Sequence, residues 1–240
     1  MNILAIDTTT KSACVAIQKN KKITEESVTN EITHSEKLLP LINKMLKETK
    51  LTLDDISKLV CINGPGSFTG IRIGLATLKA FAQVKNLNIF TMTSLEALAI
   101  STYMKNNTHD TQYILSLIDS RNDRVYYALY KIYEIDKKIV SDIILNISND
   151  EILDALNKVK VYLENNTFNI TGDCIVKYND NITSIFNNAK ITNNYPTASI
   201  LIQAIDKLYN TDRYIFDAYT LDAIYARPSQ AERMKSLNEQ

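Results

Sequence analysis

The stretch Leu59-Val60-Cys61-Ile62-Asn63-Gly64-Pro65-Gly66-Ser67-Phe68-Thr69-Gly70-Ile71-Arg72-Ile73-Gly74 passes from a buried-strand pattern, through a glycine-proline turn, into a helix. Four of the chain's five glycines lie in it. Glycine loses more backbone freedom on folding than any other residue, so such a cluster implies positive φ or close approach of another backbone. Gly64 and Gly66 flank Pro65 as a rigid turn requires, and Ser67 or Thr69 can cap a helix running from about Gly70 to Val84.

Two readings of this turn stand side by side. Amides at a helix N-terminus point at whatever anion sits there, which makes the turn a phosphate site. Alternatively it is a tight strand-to-helix connection with nothing bound. Ile71-Arg72 stands where a P-loop carries Lys-Ser/Thr, so no Walker pattern is present. Along the helix, Gly70, Gly74, Thr77 and Phe81 form one uncharged side, and Ile71, Leu75, Leu78 and Ala82 another. One stripe serves the chain's own core. The second is expected either to face a partner, with the glycines granting close approach, or to be buried between two layers of the chain.

Toward the N-terminus, Ile3–Ile6 and Ala13–Ile17 read as strands around the polar turn Asp7-Thr8-Thr9-Thr10-Lys11-Ser12, with a third strand through Val28. Thr33-His34-Ser35-Glu36 has the form of a capping box for a helix carrying Leu38, Leu41, Ile42, Met45 and Leu46, in which Pro40 is expected to cause a kink or delay. Toward the C-terminus, a short strand near Asn88–Met92 leads to a helix capped by Thr93-Ser94-Leu95-Glu96. The polar run 105–110 is a lobe boundary, giving an N-terminal lobe 1–105 and a C-terminal lobe 106–240. The second half restarts with Tyr113–Ile118, a polar turn from Asp119 to Arg124, and the strand Val125–Ile132, repeating the opening in miniature. From Asp150 the chain is Asn-rich and less periodic, apart from a helix over Ser199–Leu208, so the lobe assignment is firm up to about residue 147 and soft beyond it.

Composition narrows the function classes. With 27 Lys+Arg against 27 Asp+Glu, no net positive field draws in a phosphate backbone, and any contact with nucleic acid needs a local patch or a basic partner. Cys14, Cys61 and Cys174 lie far apart among apolar neighbours and read as reduced core thiols. No basic segment followed by a long apolar run opens the chain, so a cytoplasmic location is expected and a membrane is not.

Ile3-Leu4-Ala5-Ile6-Asp7-Thr8-Thr9-Thr10, Ile32-Thr33-His34-Ser35 with Leu38-Leu39-Pro40, and the glycine stretch through Gly74 together resemble the TsaB (YeaZ) family. Thr93–Ala99, Ile118-Asp119-Ser120-Arg121 with Val125-Tyr126, Thr171-Gly172-Asp173 and Tyr225-Ala226-Arg227-Pro228 carry the same resemblance. It implies an α/β fold of the actin, hexokinase and Hsp70 kind (ASKHA), with two lobes that each hold a mixed sheet with helices. It also implies a non-catalytic scaffold or activator. Such a chain dimerises with a TsaD-type paralogue and, with the ATPase TsaE reached through that complex, supports threonylcarbamoylation of tRNA adenosine 37. When alone it is a candidate homodimer.

The expected partner interface comprises His34, Leu38, Leu41, Met45, Gly70, Ile71, Gly74, Leu75, Thr77, Leu78 and Phe81. The alternative is an ATP-binding or ATP-hydrolysing protein of the same superfamily, holding ATP or ADP weakly with Mg²⁺. Its candidate residues are Asp7, Thr8, Thr9, Gly64, Gly66, Ser67 and Asp119; both Asp residues end strands where related folds place a Mg²⁺-linked carboxylate. Turn residues satisfying nearby amides are the plainer reading of both. His34 and His109 are the chain's two histidines and lie far apart, so neither a metal site built from one helix nor a peptidase base beside Ser67, Ser120 or Cys61 is expected.

Overall fold

The computed structural model describes residues 1–29, 34–163 and 168–227. Strands β1 (Ile3–Asp7), β2 (Ser12–Lys19) and β3 (Lys22–Thr29) form an antiparallel meander, and β4 (Lys58–Ile62) and β5 (Ile89–Met92) extend it in parallel on the other side of β1. Strands β6 (Gln112–Asp119), β7 (Arg124–Ile135) and β8 (Lys138–Glu151) make a second meander, extended in parallel by β9 (Phe168–Gly172) and β10 (Lys190–Asn193). The orders β5-β4-β1-β2-β3 and β10-β9-β6-β7-β8 are one topology used twice. The similar openings of the two halves of the sequence are thus the first strands of two equivalent sheets.

Five layers follow from where the apolar surfaces lie. Every residue of β1 is buried, as a strand with helices on both faces demands. Helices α1 (His34–Glu48) and α2 (Phe68–Lys85) cover the outer face of the first sheet, with Leu38, Ile42, Ile71 and Leu78 packed on Leu4, Ile6 and Val15. α4 (Ile152–Leu163) and α5 (Asn179–Ile185) cover the outer face of the second. Between the sheets lie α3 (Ser94–Asn106) and α6 (Ala198–Ile205), in one cluster with Ile3 and Val60 of the first sheet and Ile114 and Ile132 of the second. Both helices are apolar nearly all round, the pattern of a helix with no solvent face. α3 buries each residue from Ser94 to Tyr103, and α6 all but Ser199 and Gln203.

The structure departs from the sequence expectations in several places. α1 continues past Pro40, which lies on its exposed side near the N-terminal end, where the carbonyl deprived of a donor is that of exposed Glu36. Thr33 of the expected capping box lies outside the described residues. The second sheet begins at Gln112, and the chain later returns to the first: α6 packs on it, and β11 (Ile215–Phe216) pairs with β5. The reason is α6 itself, whose apolar surface needs a layer on each side. The three cysteines are buried and unpaired, and burial raises each thiol's pKa. Among the described residues no helix is long and apolar enough to cross a membrane.

The segment 217–227 straps the glycine turn from outside. Ile224 N donates to Asn63 O (2.8 Å), and Asn63 Nδ2 donates to Asp222 O (3.1 Å). The Tyr225 ring lies 4.7 Å from that of Phe68 and its hydroxyl accepts from Arg72 Nε, while Arg227 Nη1 donates to Ser120 O across the lobes. Tyr225→Ala is expected to lower stability by about 1 kcal/mol and to speed proteolysis within the strap, as limited trypsin digestion followed by mass spectrometry would show.

Candidate functional site

The β1–β2 turn and the glycine turn meet at the C-terminal ends of β1 and β4, in the middle of the first sheet. Asp7 is 1% exposed, and its Oδ1 accepts from Thr9 N (2.8 Å) and Thr9 Oγ1 (2.7 Å). Thr8 Oγ1 donates to Gly70 O (2.7 Å), and Ser67 N donates to Thr9 O (2.7 Å). The glycines make this contact sterically open. A Cβ on Gly70 would lie 1.9 Å from Thr8 O, one on Gly74 2.4 Å from Thr8 Oγ1, and one on Gly66 2.3 Å from Thr9 O. Gly64, at φ +113°, would meet Ile224 O of the strap at 2.5 Å. Ser67 caps α2 through Gly70 N (3.2 Å), one of its two expected caps.

The candidate nucleotide residues Asp7, Thr8, Thr9, Gly66 and Ser67 therefore come together, with Gly64 against the strap. Asp119 occupies the matching turn of the second sheet. Its Oδ1 accepts from Arg121 N (3.0 Å), the same two-residue reach that Asp7 makes to Thr9, and Lys177 Nζ stands 3.3 Å away. Asp119 N in turn donates to Asp173 Oδ1 (2.9 Å). Both Asp residues hold the amides of their own turns. Burial lifts the Asp7 pKa to about 6 against the opposing Thr9 hydrogen bonds, with the nearby Glu25 charge adding to the rise. Burial likewise lifts Asp173 to about 6. Asp7 Oδ2 has no hydrogen-bond partner among the described residues. Nor do three His, Cys, Asp or Glu side chains converge among them as a metal site would require.

Most residues of the expected docking face lie beneath the surface of the two helices. Leu38, Leu41 and Met45 of α1 and Ile71, Leu75 and Leu78 of α2 are all buried in the core beneath the helices. Gly70 and Gly74 meet Thr8 of the same chain, so the close approach expected for a partner is already taken by the β1–β2 turn. The half-buried Thr77 returns its hydroxyl to Ile73 O (2.8 Å). The His34 side chain lies outside the described residues. A different surface of the same two helices is open: a groove of about 470 Å³ lined by Leu39, Pro40, Ile42, Asn43, Leu46, Leu53 and Phe81. Phe81 is the one expected interface residue on it. Leu39, 53% exposed, was missed because it lies off the main apolar stripe; that off-stripe position was itself the signal.

A family model described as "TsaD: tRNA N6-adenosine threonylcarbamoyltransferase" matches residues 22–219. The "tRNA threonylcarbamoyladenosine biosynthesis protein TsaB" of Bacillus subtilis (strain 168) is 33% identical over 132 residues, which is 55% of this chain and 56% of that protein. Its counterpart of the same name in Escherichia coli (strain K12) is 32% identical over 131 residues, 55% of each. The chain spans about half the length of the curated relatives it matches. In three dimensions it is similar to "YeaZ from Pseudomonas aeruginosa", with TM-score 0.73 and 19% identity over 94% of this chain and all of that one. An inorganic polyphosphate/ATP-glucomannokinase from Arthrobacter sp. strain KM shares the fold more distantly, with TM-score 0.50 and 9% identity over 85% of this chain and 96% of that one. The duplicated sheets and the kinase likeness are those of an actin-like fold, and the chain belongs to the TsaD family, on its TsaB (YeaZ) side.

Proposed function

We propose that this chain is a non-catalytic partner that docks on a TsaD-type protein and, with a TsaE-type ATPase in the same assembly, supports formation of threonylcarbamoyladenosine in tRNA. The observation that carries this reading is the α1/α2 groove. It is apolar at six of seven lining residues, open to solvent, and set on the helices whose residues carry much of the family resemblance. Leu39 and Pro40, exposed on α1, and Phe81, half-buried on α2, suit a helical partner face laid into the groove over the buried Ile42 and Leu46. The chain's balanced charge fits tRNA being held by the partner rather than by this protein.

The test is affinity and turnover together. Leu39→Glu puts a charge on the groove at an exposed helical position, so the fold should survive it. Binding to the TsaD-type partner should weaken by about 30-fold or more, the scale of losing one interface hot spot. Threonylcarbamoyl transfer in the reconstituted mixture should fall in parallel. Unchanged affinity by calorimetry would remove the groove from the interface. The rival reading, ATP or ADP with Mg²⁺ at Asp7, draws on the unpaired Asp7 Oδ2. It forecasts the reverse pattern, in which Asp7→Asn stops transfer in an intact complex.

A further inference from the structure

A second cavity lies between the lobes, away from the α1/α2 groove. It occupies about 240 Å³ where the C-terminal ends of β4 and β5 and the start of α3 face β7 and β8, with the 212–216 segment closing one side. Its polar groups are ordered by a network that joins buried Glu96 to half-exposed Arg213. Glu96 Oε1 accepts from Arg213 Nη2 (2.8 Å) and from the Tyr214 hydroxyl (2.8 Å). Arg213 Nη2 also donates to Ser141 O of β8 (2.8 Å), tying both sheets into the wall. The Tyr130 hydroxyl lies 3.4 Å from Thr93 Oγ1, a loose contact for a buried phenol.

Two polar atoms of the lining residues are buried without a hydrogen-bond partner among the described residues, Asn63 Oδ1 and Ser141 Oγ. Asn63 is 6% exposed, and its Nδ2 donates to Asp222 O, which fixes the amide orientation. That leaves Oδ1 buried with no hydrogen-bond partner among the described residues. A buried, unsatisfied carbonyl loses its hydration without return, which marks it as a place where a donor belongs. The remaining lining sets the Thr91 and Ser141 side chains among the apolar Met92, Ile143, Ile147 and Phe216. The wall's paired ions, Glu96 and Arg213, already neutralise each other.

We infer that this interlobe cavity is a binding site for a small uncharged molecule: a compact apolar body of about ten heavy atoms bearing an N–H or O–H that donates to Asn63 Oδ1. An anion would meet an arginine already paired and a buried carboxylate beside it. A cation would find that carboxylate already paired with the guanidinium. A neutral donor on an apolar body matches Asn63 Oδ1 and the apolar side chains of the lining.

The test uses benzamide as probe, with toluene and benzoate as controls, followed by amide chemical shifts of the full chain. Benzamide should move resonances of cavity residues, and toluene and benzoate should each bind at least about tenfold more weakly, the scale of one hydrogen bond to an otherwise unpaired group. Ile143→Trp, placed at a half-exposed lining position on β8, should fill the cavity and abolish these shifts while leaving the rest of the spectrum in place. Asn63→Ala should bring benzamide down to the affinity of toluene. Absence of cavity shifts at saturating benzamide, equal binding of all three probes, or shifts that persist in Ile143→Trp would each overturn the assignment.

Discussion

Gly70→Ala should lower the stability of the isolated chain by about 3 kcal/mol or more, although it adds a single methyl group. The added carbon would lie 1.9 Å from Thr8 O, a backbone atom pinned by the Asp7–Thr9 hydrogen bonds on one side and by Thr8 Oγ1 to Gly70 O on the other. Neither neighbour is a flexible side-chain tip, so either the turn or the helix must move. Urea denaturation of wild type and variant measures the loss, and Ala76→Leu on the exposed side of the same helix is the control, expected to stay within about 0.5 kcal/mol. If Gly70→Ala leaves stability intact yet weakens binding to the TsaD-type protein, the glycines face the partner after all.

Asp7→Asn should act in the opposite direction. Burial raises the Asp7 pKa from 3.8 to about 6, so between those values the folded chain holds a proton that the unfolded chain has lost. Stability from this group is therefore fully present below about pH 4, falls as pH rises to about 6, and stays low above it. Two pH units correspond to about 3 kcal/mol. An Asn Oδ1 can keep both Thr9 hydrogen bonds, while its new NH₂ group replaces the unpaired Oδ2, so the net gain at pH 8 is expected to be about 2 kcal/mol. Melting temperatures across pH 4 to 8 are the readout. The wild-type slope should persist in part, because Asp173 carries a rise of the same sign. A variant less stable than wild type at pH 8 would mean that the carboxylate is satisfied by something other than Thr9.

Much of the architecture could be read from the residues, because the strands that begin each half are continuous apolar runs bounded by polar turns. Ile3–Asp7 and Gln112–Asp119 are central strands, and their equivalence is visible in the Asp that closes each one. The edge strand β8 was not legible. Asp142, Ile143 and Ile144 are all exposed and the register slips near Leu145, so no period of two survives. α4 is legible in Ile152, Ala155, Leu156, Val159 and Leu163, an amphipathic stripe inside a region whose Asn content masks it.

The glycine helix shows a different limit. Periodicity correctly identified an uncharged side at Gly70 and Gly74, but a helical pattern gives a direction and not a neighbour. The neighbour is Thr8, more than sixty residues earlier in the chain. The same holds for the interlobe cavity, where Glu96 and Arg213 are 117 residues apart and neither carries a local motif that points to the other.

The shared helical layer has a mechanical consequence. In a two-lobed protein that clamps its ligand, the lobes turn about a thin connection and the space between them fills and empties. Here α3 and α6 occupy that space with apolar side chains gripped by both sheets, so swinging the lobes apart would expose a core rather than open a cleft. The two halves are thus thermodynamically indivisible, and calorimetry should record one transition whose van't Hoff and measured enthalpies agree. Such a body transmits force as a wedge does. Opening it like a hinge would break the packing of both sheets on α3 and α6 at once.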